Sequence, residues 1–445
     1  MKVLTTLLLL LSTMAFSQEK NPFSKQLYGY WEGAIIKSNS YQQIAVTFSQ
    51  RDGKTYSLQY MEEWYPAFGE FETPVTTDSL GRIIFSTGYG KAGLSLDENN
   101  LEMTGEMLGF NPSIYLHLKK TTPPPAQNYT VEKVAIQSGK VQLNGHFHIP
   151  RYLSKKTAII LVGGRGCWAD DTEYNLYGKL LRRYGVSVLA YQKRGTGNST
   201  GDCNTATIQD LANDLAAVHS YVAAHPNGYE KIGVLGISAG GWTMVKAQEK
   251  VDFDFMISNV GPSTSVKEQQ MQSMAYGAAE YGVKGQAVAN VTRYTELIFS
   301  APANQKGLNS MNQLLEKSES ENWKDLLEDT DIPGDVNGIS ELWVRRHNFD
   351  PKDELQNFSK PFLAIYGDRD WIVPHEENTA KLKAYFANRP QLLTTVLAYN
   401  AEHGMEMESK WVKMEHNQTY WHFYRISPQV NLAIIEFLRQ HQLIE

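Results

Sequence analysis

One stretch of this chain reads Lys231-Ile-Gly-Val-Leu-Gly-Ile-Ser-Ala-Gly-Gly241, a short apolar run that ends in a serine between glycines. The residues that follow, Trp242–Glu249, contain neither Pro nor Gly and are rich in helix formers. The pattern therefore predicts a buried strand, a sharp turn and a helix, in that order.

The turn carries the G-x-S-x-G pattern of a nucleophile elbow, with Ser238 at its centre. Residues two positions away on either side must be small, because larger side chains would collide in so tight a turn. The helix behind the turn would aim backbone N–H groups at the reacting centre. A second match, around Ser199, lies among Gly, Thr, Asn and Ser with no helix directly behind it, which is typical of a loop. The predicted nucleophile is therefore Ser238.

Residues 1–17 have the three parts of a secretory signal peptide. Lys2 supplies the positive charge, Leu4–Leu11 the apolar core, and Ala15-Phe16-Ser17 the cleavage site. The apolar core is too short to span a bilayer as a helix of the mature protein. We therefore expect an exported protein, periplasmic or secreted, with no membrane association after cleavage.

Residues 18–120 form a predicted all-β domain, because alternating or aromatic-rich runs are separated by turns such as Arg51-Asp-Gly53. A small barrel or sandwich is expected. Its aromatic residues could form a platform for sugars or peptides, or the core of the domain; they are Tyr30, Trp31, Trp64, Tyr65, Phe68 and Phe71. Residues 121–127 contain three prolines and read as a linker.

From residue 128 to 445 strands alternate with helices, which predicts a mostly parallel sheet covered on both faces. A hairpin over 129–148 precedes strands near 158–162, 186–190, 231–237 and 255–260, and two further strands lie near 361–366 and 392–397. Residues 262–358 show helical patterns and no clear strand, with predicted helices at Met271–Tyr281, Ala287–Phe299, Leu308–Lys317 and Asn322–Leu327. This segment is too long for a simple connection, so we expect a helical cap insertion over the active site.

A serine hydroxyl becomes a good nucleophile when a histidine removes its proton and an acid orients that histidine. Asp370 follows one late predicted strand, and His403, next to a glycine, follows the next. Asp368 is an alternative acid. The alternative histidines are His347, His375, His416 and His422, but among these five histidines His403 alone follows the last strand directly.

Together these motifs resemble the α/β-hydrolases, and the resemblance covers roughly residues 130–445. Tyr191-Gln-Lys-Arg-Gly-Thr-Gly-Asn-Ser-Thr-Gly-Asp202 is similar to the D-x-R-G-x-G-x-S-x-G loop of bacterial EstD-type esterases, which are related to the dienelactone hydrolase and serine aminopeptidase groups. The resemblance assigns the acid role to Asp370 and reads Arg194 and Ser199 as structural loop residues. Gln192 departs from the pattern, since an aspartate is usual there.

The resemblance also implies an oxyanion hole made of backbone N–H groups. Ala239 would supply one, and Arg165, in the loop Gly163-Gly-Arg-Gly166, the other. The Arg165 side chain is expected either to bind an acidic group of the substrate or to be solvated. In this fold the strands that precede Cys167 and Cys203 are neighbours, which implies a disulfide between them; two separate buried thiols remain the alternative.

We therefore expect a serine hydrolase, a carboxylesterase that acts on small or medium acyl esters, with Ser238, His403 and Asp370 as its triad. No metal or organic cofactor is implied. The net charge of −6, without a basic stripe, gives no reason to expect nucleic acid as a partner. A serine peptidase of the aminopeptidase type is one alternative, and a glycan- or peptide-binding protein that uses its β-domain is another. The oligomeric state is left open by the sequence.

Overall fold

The computed structural model describes residues 23–445 except 24, 38–39, 61–69, 88–89, 98, 100, 124–128, 171, 174 and 408–424. The chain divides, mainly after Pro123, into two compact units. Within the described part of the chain, no helix combines the length and the apolar character needed to cross a membrane.

The first unit is one antiparallel sheet in the order β4-β3-β2-β1-β9-β8-β7-β6-β5. Gln59 of β3 donates a hydrogen bond to the carbonyl oxygen of Ser86 in β6 (2.5 Å), and Thr73 of β4 reaches the same oxygen (3.1 Å). Since β3 and β4 belong to one edge of the sheet and β6 lies beside the other, the sheet curls back on itself. Its strands are β1 (Gly29–Lys37), β2 (Ser40–Arg51), β3 (Lys54–Tyr60), β4 (Glu70–Pro74), β5 (Thr76–Thr77), β6 (Ile83–Thr87), β7 (Gly90–Leu96), β8 (Glu102–Met107) and β9 (Tyr115–Lys120).

Trp31 belongs to the core of this unit. Its side chain is fully buried, and its indole N–H donates to the carbonyl oxygen of Leu27 (2.8 Å). It therefore has no face free for a ligand. Of the other aromatic residues considered above, Trp64, Tyr65 and Phe68 and the side chain of Phe71 lie outside the described residues.

The second unit contains an eight-stranded sheet in the order β10-β11-β13-β12-β14-β15-β16-β17. The first two strands form an antiparallel hairpin, β11 runs antiparallel to β13, and every pairing from β13 to β17 is parallel. The strands are β10 (Tyr129–Ser138), β11 (Val141–Pro150), β12 (Thr157–Val162), β13 (Ser187–Tyr191), β14 (Lys231–Ile237), β15 (Phe255–Asn259), β16 (Phe362–Gly367) and β17 (Leu393–Ala398). A separate two-stranded ladder pairs β18 (Glu406–Met407) with β19 (Arg425–Ile426).

Helices cover both faces of this sheet, so successive residues of its strands enter different cores. In β12, Ile160 belongs to one apolar cluster, whereas Ile159 and Leu161 belong to another. The first cluster also takes residues from α2 (Ile208–Ala223), α3 (Gly240–Ala247), α8 (Lys352–Asn357) and α9 (His375–Tyr385). The second takes residues from α1 (Leu176–Arg182) and α10 (Pro428–Gln440). The carboxyl ends of the parallel strands are thereby fixed in one row.

Between β15 and β16 the chain forms helices and no strand. This helical insertion contains α4 (Val266–Glu280), α5 (Gln286–Ser300), α6 (Gln305–Ser318) and α7 (Trp343–Arg346), and it has an apolar cluster of its own that also includes Trp242 of α3. The helix predicted near 322–327 is only a 3₁₀ turn, Lys324–Leu326. Asn322 explains the difference, because its φ of +60° is incompatible with a helix.

Candidate active site

Ser238 lies on the turn between β14 and α3, in a conformation that few residues other than glycine adopt, with φ at +51°. The flanking glycines are required by close packing. A Cβ atom on Gly236 would lie 2.7 Å from the carbonyl oxygen of Gly240, and a Cβ on Gly240 would lie 2.4 Å from that of Val162. The helix begins at Gly240, two residues before the predicted Trp242. Glycine has a low helix propensity, but the close packing of the helix start against β12 leaves no room for a side chain at this position.

The structure brings the three predicted side chains into one hydrogen-bonded row. The Ser238 hydroxyl lies 2.9 Å from Nε2 of His403, and Nδ1 of His403 lies 2.9 Å from Oδ2 of Asp370. A carboxylate can only accept, so Nδ1 carries the proton and Nε2 is left to accept from the serine hydroxyl. This tautomer is the one that removes a proton from serine during attack.

The acid in this row is Asp370 and not Asp368. The Asp370 side chain is fully buried, and its second oxygen accepts the backbone N–H groups of Ile372 and Val373, both at 2.9 Å. Asp368 is exposed. These contacts hold the carboxylate rigid and ready to orient the imidazole.

Of the other histidines that the sequence offered, the structure describes His347 and His375, and neither forms a hydrogen bond with Ser238. His347 is buried and stacks on Trp343, with ring centroids 4.4 Å apart, and burial lowers its pKa to about 4. His375 is the first residue of α9. His416 and His422 lie outside the described residues.

Ser199, at the second G-x-S-x-G match, is part of a loop framework. Its hydroxyl donates to the carbonyl oxygen of Gln192 and accepts the backbone N–H of Asn144, both at 2.8 Å. In the same loop, Arg194 makes a two-pronged ion pair with Asp214 of α2, at 2.7 and 2.9 Å. Both side chains serve to hold the loop between β13 and α2 in place.

Backbone N–H groups near Ser238 are unused. Among the residues that the structure describes, no hydrogen bond takes the N–H of Gly164, Arg165 or Ala239. Gly164 lies against Ser238, since a Cβ atom on it would be 3.0 Å from Cβ of Ser238. These donors lie in the two segments from which an oxyanion hole of this fold is built.

The Arg165 side chain takes neither of the roles expected for it. Its guanidinium donates to Oδ1 of Asp331 (2.9 Å) and to the hydroxyl of Thr330, and it lies 4.5 Å above the ring of Trp343. Asp331 is fully buried, so the pair is an internal link between the loop after β12 and the helical insertion. No sequence signal pairs residues so far apart.

Cys167 and Cys203 form a disulfide, with their Cα atoms 5.7 Å apart. It joins the loop after β12 to the loop after β13, two neighbouring parallel strands. The loop that passes Ser238 is thus covalently tied to its neighbour.

A cavity of about 490 Å³ opens over Ser238 and His403, a volume typical of small-molecule sites. The loops that carry Ser238, Asp370 and His403 form one side of it. The helical insertion supplies much of the rest through Gln269, Gln270, Ser273, Met274, Leu326, Glu328, Asp331 and Trp343. Among the described residues, four indoles contribute to the lining, those of Trp168, Trp242, Trp343 and Trp371. Sequence reasoning missed these insertion residues, because no motif marks them.

Asp170 adds a carboxylate to the cavity wall. Burial raises its pKa, and the nearby Lys193 ammonium partly offsets this effect. Within the described part of the chain, no group of three or more His, Cys, Asp or Glu side chains is placed to hold a metal ion.

Solved structures with similar backbones include hydrolases of several kinds. An esterase of Pyrococcus furiosus is 15% identical, with 73% of this chain and 96% of that chain covered and a TM-score of 0.43. Est1E from Butyrivibrio proteoclasticus, with ferulic acid bound, is 17% identical over 69% of this chain and 98% of that chain, with a TM-score of 0.43. A proline iminopeptidase of Mycobacterium smegmatis is 17% identical over 70% and 99%, with a TM-score of 0.41. No activity transfers to this chain at such values.

No curated protein matches this chain. Residues 121–431, well over half of the chain, match the X-Pro dipeptidyl-peptidase family, S15. The predicted resemblance to the α/β-hydrolases is thereby confirmed. The protein is an α/β-fold hydrolase, and it belongs to the X-Pro dipeptidyl-peptidase (S15) family.

Proposed function

We propose that this protein is an exported serine carboxylesterase that cleaves small or medium acyl esters. The observation that carries the proposal is the hydrogen-bonded row Ser238–His403–Asp370 at the base of a cavity of about 490 Å³. The indoles that line this cavity favour an uncharged acyl or alcohol group, because they offer a large apolar surface.

The reaction begins when Oγ of Ser238 adds to the ester carbonyl while Nε2 of His403 takes the hydroxyl proton. The backbone N–H groups of Ala239 and of the loop after β12 stabilise the resulting oxyanion. The intermediate then expels the alcohol, which leaves with the proton from Nε2. A water molecule attacks the acyl-enzyme, His403 again takes the proton, and the carboxylic acid is released. Asp370 stabilises the imidazolium at each step.

The experiment is a comparison of purified protein with its Ser238→Ala variant on p-nitrophenyl acetate, butyrate, octanoate and palmitate. We expect kcat/KM to be highest for the first three and to fall for palmitate, since its chain exceeds the cavity. Absence of hydrolysis of all four esters by the parent protein would contradict the proposal.

A second candidate function is cleavage of X-Pro dipeptides from peptide N-termini, the activity for which the family is named. Asp170 favours it, because a carboxylate in the cavity wall can bind the ammonium group of a peptide. Ala-Pro-p-nitroanilide and its N-acetyl derivative test this function as a pair. Cleavage of the free amine alone, lost in Asp170→Asn while acetate hydrolysis persists, would establish a peptidase.

Export is also part of the proposal. The N-terminal pattern supports it, and so does the disulfide, since such bonds persist in oxidising compartments. Intact mass spectrometry of protein recovered from outside the cytoplasm should give a chain that begins at Gln18. An unprocessed chain recovered with the cytoplasm would overturn it.

A further inference from the structure

The loop Gly163–Cys167 must hold a backbone donor at hydrogen-bond distance from a developing oxyanion if the proposed reaction is to be fast. Apart from the ion pair of Arg165 and the disulfide of Cys167, the loop has no side chain for this task, because Gly163, Gly164 and Gly166 carry none. Gly166 even adopts φ of +105°, which a residue with a side chain rarely does. Something outside the loop must therefore fix its peptide planes.

Lys193 makes that contact. Its ammonium group donates to the carbonyl oxygens of Gly164 (2.5 Å) and Gly166 (2.7 Å), on either side of Arg165. Lys193 stands in the loop after β13, the strand that pairs with β12. The Lys193 side chain, at the end of the neighbouring strand, thus holds two peptide groups of the loop through their carbonyl oxygens.

Because the peptide bond is planar, the hydrogen bond from Lys193 to the Gly164 carbonyl oxygen also fixes the direction of the Arg165 N–H. The carbonyl group of Gly164 and the N–H of Arg165 belong to one planar trans peptide, so they point in opposite directions. A donor that fixes the oxygen on one side therefore fixes the direction of the N–H on the other. Among the described residues, that N–H takes part in no hydrogen bond, and Arg165 lines the same cavity as Ser238.

The positive charge of Lys193 acts on the Gly164–Arg165 peptide in addition to holding it in position. An ammonium group on a carbonyl oxygen withdraws electron density from the peptide and strengthens its N–H as a donor. The charge is only partly solvated here: burial lowers the pKa of Lys193 to about 8, and the Asp170 carboxylate partly offsets that shift. The Lys193 ammonium therefore acts on the peptide with less screening than a surface lysine would.

We propose that Lys193 is a positioning residue, which holds and polarises the Gly164–Arg165 peptide so that the Arg165 N–H stabilises the oxyanion formed at Ser238. The inference rests on the proposed esterase function. Lys193 transfers no proton and touches no substrate atom; it acts through the loop.

The test compares Lys193→Met with the parent enzyme on p-nitrophenyl butyrate. Loss of a direct oxyanion donor costs about 10²–10³-fold in kcat, so an indirect effect of about 10- to 100-fold is expected, with KM changed less than threefold. Lys246→Met is the matched control. That lysine pairs with Glu249 away from the loop, and its removal should leave kcat within twofold.

Two inhibitors separate positioning from a general loss of structure. A trifluoromethyl ketone forms a tetrahedral oxyanion with serine, and its Ki should rise in Lys193→Met by the factor that kcat/KM falls. A non-reacting amide of similar shape should bind both proteins equally. Equal weakening of the two inhibitors, or an unchanged kcat, would overturn the inference.

Lys193→Gln provides a second variant if the methionine variant unfolds at the assay temperature. It keeps an N–H donor without the charge, so its kcat should lie between those of the parent and Lys193→Met; a kcat equal to that of the parent would contradict the inference. A parent protein that cleaves no ester would instead contradict the proposed function, so the two failures are distinguishable.

Discussion

Ser238 holds a backbone conformation that the surrounding structure must enforce. A φ of +51° at a residue with a side chain costs on the order of 1 kcal/mol, and hydrogen bonds to a neighbouring strand and to the following helix supply the restraint. The Ser238 N–H donates to the carbonyl oxygen of Asn259 in β15 (3.0 Å), and the Ser238 carbonyl accepts the N–H of Gly241 (2.8 Å). The turn is thus anchored on both sides of the reacting hydroxyl.

The first prediction compares two serines that share the same local pattern. Ser238→Ala should reduce ester hydrolysis to background and abolish labelling by a fluorophosphonate, because the nucleophile is lost. Ser199→Ala should keep most of the activity, since its hydroxyl only bonds to backbone groups. Fluorophosphonate labelling that persists in Ser238→Ala would show that another residue is the nucleophile.

The second prediction compares two aspartates. Asp370→Asn should lower kcat by roughly 10³–10⁴-fold, because an amide in place of the carboxylate favours the wrong tautomer of His403. Asp368→Asn should change kcat by less than about threefold, since that side chain is exposed. Steady-state kinetics on p-nitrophenyl butyrate measures both effects. If the two variants exchanged their effects, the acid would have to be reassigned.

At the scale of elements, the loop after β12 is held from two directions. The Arg165–Asp331 ion pair ties it to the helical insertion, and the Cys167–Cys203 disulfide ties it to the loop after β13. Each link joins segments that are distant along the chain. The loop that passes Ser238 is therefore held by elements that supply none of the residues Ser238, His403 and Asp370.

The third prediction concerns the ion pair. Asp331→Asn should destabilise the protein by about 2–4 kcal/mol, because it leaves the Arg165 guanidinium without a counter-charge in a largely buried site. Asp329→Asn is the control, since that side chain is exposed and should change stability by less than about 0.5 kcal/mol. Urea denaturation followed by tryptophan fluorescence gives both values. Equal stability of the two variants would show that the pair contributes nothing.

The fourth prediction concerns the disulfide. Its partners are 36 residues apart, so the chain-entropy estimate gives a loss of roughly 3–4 kcal/mol in the Cys167→Ser/Cys203→Ser double variant. In the parent protein, mild reduction should lower ester hydrolysis before it changes the near-ultraviolet circular dichroism. The double variant, which has no cysteine, should not respond to the reductant. Alkylation of both residues without prior reduction would contradict the bond itself.

The helical insertion also shows where the sequence was and was not informative. The strands of the sheet and the loops that carry Ser238, Asp370 and His403 were predictable, because apolar runs and turn residues are local signals. The sequence predicts that α4 starts at 271, five residues after its observed start at Val266. Its first turn is largely polar, and its beginning depends on Ser265, whose hydroxyl accepts the N–H of Glu268 (3.1 Å). The cavity lining was not predictable, since it depends on how α4 and α7 pack.

At the scale of the whole molecule, the second unit has cores of its own. The described residues of its three apolar clusters all lie between Val134 and Ile444. A domain that buries its apolar surface internally can fold alone. The division of the chain that the prolines of residues 121–127 predict stays a prediction until it is tested by truncation.

The fifth prediction is that a protein lacking residues 18–120 is soluble and retains its triad. Hydrolysis of p-nitrophenyl acetate should stay within about threefold of the full mature chain, because no triad residue belongs to the first unit. Fluorophosphonate labelling and the thermal unfolding midpoint provide the measurements, with the mature chain from Gln18 as the control. A truncated protein that only aggregates would show that the two units fold as one.

Trp242 limits which changes of the helical insertion can alter the substrate range of this enzyme. Its indole lies one turn after Ser238 and donates to the carbonyl oxygen of Thr264 (2.8 Å). Its ring centroid is 6.2 Å from that of Trp343 in the core of the insertion. A foreign insertion grafted between β15 and β16 would therefore have to offer both an acceptor and an indole-sized recess at this point. Grafts that ignore it would disturb the helix that follows Ser238. Changes confined to a cavity-facing position outside the apolar cluster, such as Gln270, leave the contact between Trp242 and the insertion intact.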